Sequence, residues 1–134
     1  MNHTFKAVQG VNHPGTEYKS LAILCAKKLK GNEAFVGLYN EMLAKSTVST
    51  VMPVADVPAA AKALGVDTAA LDTCIKNGDM KAEYAANWAE FQTFTNSPGT
   101  PGNIILNNET GEWKLIAGAY PVDAFKQAIT AMSK

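Results

Sequence analysis

Residues 96–102 read Asn-Ser-Pro-Gly-Thr-Pro-Gly, and neither a helix nor a central strand can run through them. Each proline lacks the amide hydrogen that a ladder needs, and the glycines favour turns. The chain is therefore split into a long first part and a short second part, each of which must be read by its own period.

In the first part apolar residues recur at helical spacing. Tyr18, Leu21, Ala22, Cys25 and Leu29 form one stripe behind Thr16, a residue suited to cap a helix. Gly31 stops that helix, and Asn32 can cap the next, where Phe35, Leu38, Tyr39, Met42 and Leu43 repeat the pattern. Residues 46–53 are rich in Ser, Thr and Val, have no helical period, and read as a connector. Asp56 followed by Pro58 looks like a cap with an early-turn proline. The short helix it opens, over 59–64, ends at Gly65. Asp67 or Thr68 caps a further helix carrying Leu71, Cys74 and Ile75, closed by Asn77-Gly78. Asp79 opens a longer one, with Met80, Tyr84, Trp88, Phe91 and Thr95 on one side.

Ahead of these helices, residues 4–11 read as a short strand containing Phe5, Ala7 and Val8, broken by Asn12-His13-Pro14-Gly15. After the break, 103–107 holds Ile104, Ile105 and Leu106, 108–111 has turn chemistry, and 113–117 is a second apolar run. Together they predict a β-hairpin. Pro121 sits at the start of a last helix whose stripe is Val122, Phe125, Ile129 and Met132. The order is strand, several helices, hairpin, helix, in one domain over residues 1–134.

Several function classes are disfavoured by composition. The 134 residues are 47% hydrophobic and 18% charged, an ordinary globular balance. Lys plus Arg and Asp plus Glu are 12 each, for a net charge of zero, so no strong field draws nucleic acid or an anionic membrane. The one basic cluster, Lys27, Lys28 and Lys30, reads as the solvated face of a helix. The longest apolar run, 21–26, falls far short of the ~20 residues of a membrane span. Residues 1–10 lack the basic-then-apolar pattern of an export signal, so there is none or it was removed before this numbering began. His3 and His13 have no second ligand at a matched spacing, and no phosphate loop or nucleophile elbow occurs. Neither a metal nor a cofactor is expected.

The two cysteines, Cys25 and Cys74, form no Cys-x-x-Cys pair. Each falls inside a predicted helix among apolar neighbours, where burial raises a thiol's pKa, so neither reads as a nucleophile. Two buried thiols and one structural disulfide both fit. A bridge closing a loop of this length would add ~3–4 kcal/mol in the chain-entropy model and imply an oxidising compartment.

Gly99-Thr100-Pro101, the hairpin over 103–117, and Gly118-Ala119-Tyr120-Pro121 leading into Phe125 resemble the DsbA-like family of the thioredoxin superfamily. His13-Pro14 after a strand resembles that family's strand-to-helix junction. The helical block, about 16–95, looks like its inserted helical subdomain, and Ala-Leu-Gly-Val at 63–66 leading into Leu71 and Cys74 is similar to bacterial members. The resemblance implies an α/β fold of α+β-like character: a partial thioredoxin fold with three strands, a helical insertion and a C-terminal helix. It implies a cis Thr100-Pro101 bond, with Thr100 and Pro101 binding an extended substrate peptide or protein. Some relatives place a cysteine pair at the positions of Cys25 and Cys74, which implies a structural disulfide. It also implies protein disulfide oxidoreductase chemistry and an extracytoplasmic setting, periplasmic or secreted.

The departure from the family matters as much. Its members open with a strand and then a Cys-x-x-Cys helix, whereas this chain begins at what would be the next strand. The catalytic chemistry has no residues here to carry it, so the chain is expected to be redox-inactive alone. The alternative is a redox-silent peptide-binding or chaperone-like module. A third reading is a structural fragment with no retained activity. The absent strand would lie between 4–11 and 103–107. Those two could close on each other, two copies could pair as a homodimer, or a separate chain could donate a strand.

Overall fold

The computed structural model describes residues 4–8, 14–47, 49–94 and 100–133. Among the described residues, six α-helices and a two-stranded antiparallel sheet make a mixed helix-and-sheet protein. The elements are α1 (Thr16–Lys30), α2 (Asn32–Ala44), α3 (Val57–Ala63), α4 (Thr68–Asn77), α5 (Lys81–Thr93), β1 (Gly102–Leu106), β2 (Trp113–Ala117) and α6 (Val122–Met132), with one turn of 3-10 helix at Val54–Asp56. They fall into two compact units, Met1–Asn87 and Trp88–Lys134.

The first unit is helical. Its core gathers Leu21, Leu24 and Cys25 of α1, Leu38 of α2, Val57 of α3 and Leu71 of α4, which are almost wholly buried. α1 lies at the centre and packs on α2, α4 and α3, as its run of seven consecutive buried residues from Ser20 to Ala26 requires. Helix ends follow local chemistry. The Asp67 carboxylate accepts from the Ala70 amide at 2.7 Å and caps α4. Gly78 closes α4 in the left-handed region at φ 70, a conformation open to glycine without strain. Thr16 and Asn32, read as caps, are instead the first helical residues, and Gly15 and Gly31 hold the capping positions. Positive φ at both glycines turns the chain there. Leu29, assigned to the apolar stripe, is 41% exposed, because the last turn of α1 runs past its neighbours' apolar cover. The connector is pinned by Ser46, whose hydroxyl donates to the Met42 carbonyl at 2.6 Å and accepts from the Met52 amide at 3.1 Å. Met52 is thereby held fully buried.

The second unit contains the ribbon. β1 pairs with β2 from Gly102 opposite Ala117 to Leu106 opposite Trp113. The turn is built by Asn107. Its side-chain oxygen accepts from the Glu109 amide at 2.9 Å, and its backbone amide donates to the Glu112 carbonyl at 2.8 Å. The Asn107 amide group also donates to the Met132 carbonyl at 2.7 Å, tying the turn to the end of α6. On α6 the stripe is Phe125, Ala128, Ile129 and Met132. Val122, expected within it, lies in the first turn of the helix and is 64% exposed, and its neighbours Pro121 and Asp123 are exposed as well.

The sheet has two strands among the described residues. Residues 4–8 do not form a third, and residues 9–11 of that expected strand lie outside the described residues. Ala7 packs against the helical core, and its carbonyl accepts from the Asn87 side chain at 3.1 Å. Those contacts use the segment as cover for helices.

Candidate functional site

Thr100 and Pro101 form the entry to β1, and their peptide bond is cis. Both residues are exposed. The residues before them, 95–99, lie outside the described residues, Gly99 and Thr95 included. The Pro101 carbonyl accepts from the Gly118 amide at 2.8 Å, which continues the β1–β2 register by one pair.

That pair should exchange two hydrogen bonds, one in each direction. Proline has no amide hydrogen to return. Asn103 supplies the missing donor: its side-chain nitrogen lies 3.0 Å from the Gly118 carbonyl and 3.0 Å from that of Ile116. An amide at the head of an apolar run thus stands in for the hydrogen that Pro101 lacks. Asn103 was not singled out from the sequence. The usable signal was an amide two residues after a proline, in a run that otherwise reads as core.

Aromatic rings meet the ribbon at both ends, Phe91 at Gly102 and Phe94 at Trp113, which pairs with Leu106. A side chain at Gly102 would run into the Phe91 ring, so glycine is required there for the close approach. Trp88 meets Phe91 at 6.0 Å, and Phe94 meets Trp113 edge-on at 5.2 Å. Trp88 and Phe91 therefore serve packing within their unit, as the helical spacing suggested.

Cys25 and Cys74 are joined by a disulfide, S–S 2.04 Å and Cα–Cα 6.0 Å, between α1 and α4. They are 0% and 4% exposed. The chain has only these two cysteines, so in this state it presents no thiol to attack a substrate disulfide.

Among the described residues no His, Cys, Asp and Glu group could hold a metal ion; His3 and His13 lie outside them. No helix among the described residues is long and apolar enough to cross a membrane. The Lys27 and Lys28 ammonium groups pair with Glu83 at 3.0 Å and Asp79 at 2.6 Å, and Lys30 donates to the Gly65 carbonyl at 3.0 Å. The basic cluster is therefore committed to intramolecular partners. Such half-exposed pairs are each worth about 0–1 kcal/mol. An open groove of about 260 Å³ beside α1 and α2 includes Ile23, Tyr39, Met42, Leu43 and Met52 in its lining.

In comparisons with protein-family models, curated proteins and solved structures, none matches this chain.

Proposed function

We propose that this chain is a thioredoxin-type domain of the DsbA-like kind, silent in thiol–disulfide exchange by itself, that binds extended peptide at Thr100 and Pro101. The observation that carries the proposal is the placement of this pair. Two exposed residues lead directly into an antiparallel ribbon, and a single helix follows that ribbon. The family resemblance of the Gly-Thr-Pro loop, the ribbon and the last helix supports the same reading. It also supports an extracytoplasmic setting.

The redox-silent part rests on chemistry. Disulfide exchange needs a thiolate that can reach its target and a second thiol to resolve the mixed disulfide. The only two cysteines are spent on each other and shut inside a helical core. Binding, by contrast, needs only an exposed stretch of backbone beside apolar side chains.

Two assays test the two halves. Incubated with oxidised or reduced model dithiols, the chain should give no turnover. In calorimetry with an extended apolar peptide it should bind, and Pro101→Ala should abolish the binding. Turnover by this chain alone would overturn the silent reading. Peptide affinity unchanged in Pro101→Ala would overturn the site.

A further inference from the structure

Resting on the peptide-binding reading above, we propose that Asn103 is the positioning residue of that site. Its side-chain amide holds Gly118, Gly118 holds Pro101, and the affinity for extended peptide depends on this two-link chain. Pro101 can join the β1–β2 ladder only through its carbonyl, because it has no amide hydrogen. That carbonyl accepts from the Gly118 amide at 2.8 Å. Gly118 by itself is a weak anchor. It lies one residue beyond the end of β2, and at φ 109 it occupies a region where no side chain limits its backbone. Its own carbonyl is held by the Asn103 side-chain nitrogen at 3.0 Å. One amide group therefore stands behind the pair that carries Pro101.

Strand parity makes the effect of Asn103 local. The Asn107 amide donates to the Glu112 carbonyl at 2.8 Å, as the Gly118 amide does to Pro101. Hydrogen-bonded pairs recur at every second residue of an antiparallel ladder. With the observed register, Asn103 opposite Ile116 and Ile105 opposite Lys114 are then bonded pairs too. The Ile116 carbonyl thus has a backbone donor besides the Asn103 side chain, which reaches it at 3.0 Å. Truncating Asn103 takes a second bond from Ile116 but takes from Gly118 the donor that replaces the proline's. The strands keep their register, and the loosening falls on Gly118 and Pro101. That is the end where Thr100 and Pro101 are exposed, whereas Asn103 is half-buried. Asn103 therefore acts on the site through Gly118.

Calorimetry of the full chain with a capped, extended peptide of alternating valine and threonine tests this, beside amide hydrogen exchange of the free chain. Asn103→Ala should weaken binding about fivefold, the share of one hydrogen bond. This is read without denaturant, where circular dichroism and tryptophan emission match those of the unsubstituted chain. A residue that only stabilised the ribbon would shift the unfolding midpoint and leave the affinity of the folded chain as it was. Asn103→Asp has the same size but no donor when ionised, and should lose as much. Asn103→Gln keeps both N–H groups and should recover part of the affinity. In the Ala and Asp variants the Gly118 amide should exchange faster, while the Asn107 amide at the far end of the ribbon should not. Should Asn103→Ala unfold the ribbon, Asn103→Asp is read in its place, and loss of the ribbon in both overturns the proposal. Unchanged affinity in a folded variant, or a Gly118 amide that exchanges no faster, overturns it alone. No binding by the unsubstituted chain overturns the peptide reading, and the proposal with it.

Discussion

Asn103 does for the ribbon what a backbone amide would do anywhere else in a ladder. Its side chain reaches the Gly118 carbonyl that Pro101 cannot serve. Truncation in Asn103→Ala leaves that carbonyl without its donor and should destabilise the second unit by about 1 kcal/mol. Both tryptophans, Trp88 and Trp113, belong to Trp88–Lys134, so urea unfolding followed by tryptophan emission reads this unit alone. No change in midpoint would refute the role. The tyrosines make a different residue-scale prediction. Burial lifts the Tyr84 phenol above its ordinary 10.0, a hydrogen bond with Ser20 opposes this, and Glu17 adds to it. Burial also lifts Tyr18, with Asp72 adding and Lys76 opposing. The folded phenols therefore keep their protons at a pH where the unfolded ones have lost theirs. Their contribution is fully present below pH 10 and is lost as the pH rises through the raised values. Stability of the first unit, read by circular dichroism, should fall above pH 10, and Tyr84→Phe should flatten the fall.

At the scale of elements, the disulfide is the strongest single tie. It joins α1 to α4 across a sequence separation of 49, and a loop of that size corresponds to about 4 kcal/mol in the chain-entropy model. The double variant Cys25→Ala/Cys74→Ala should lose about that much in chemical denaturation followed at the helical band. A loss under about 1 kcal/mol would show that helix packing alone sets the stability. This scale also shows what was legible in the sequence. The Asp67 cap, the Gly31 and Gly78 stops, the hairpin and most residues of the helical stripes rest on local rules and are found where those rules put them. Leu29, Leu43 and Val122 are exposed and fail for one shared reason. Periodicity says which face of a helix is apolar but not how far the neighbouring elements extend along it, and all three residues sit in terminal turns. Residues 4–8 have strand-like chemistry, but their apolar groups found helices to cover. Asn103 was illegible because its use depends on Gly118, 15 residues away, being placed opposite a proline.

The whole molecule divides its tasks between two units. The helical unit spends its cysteines, its basic cluster and its apolar stripes on its own cohesion. The ribbon unit keeps exposed what could engage another chain: Thr100, Pro101, and the β1 edge ending at Leu106. This division is the basis of the proposal that the chain holds an extended segment without exchanging sulfur with it. The most direct measurement is an amide-resolved NMR titration with an extended apolar peptide. The account predicts shifts centred on Thr100 and Gly102 that vanish in Pro101→Ala. Shifts confined to the helical unit, or no shifts at saturating peptide, would contradict it.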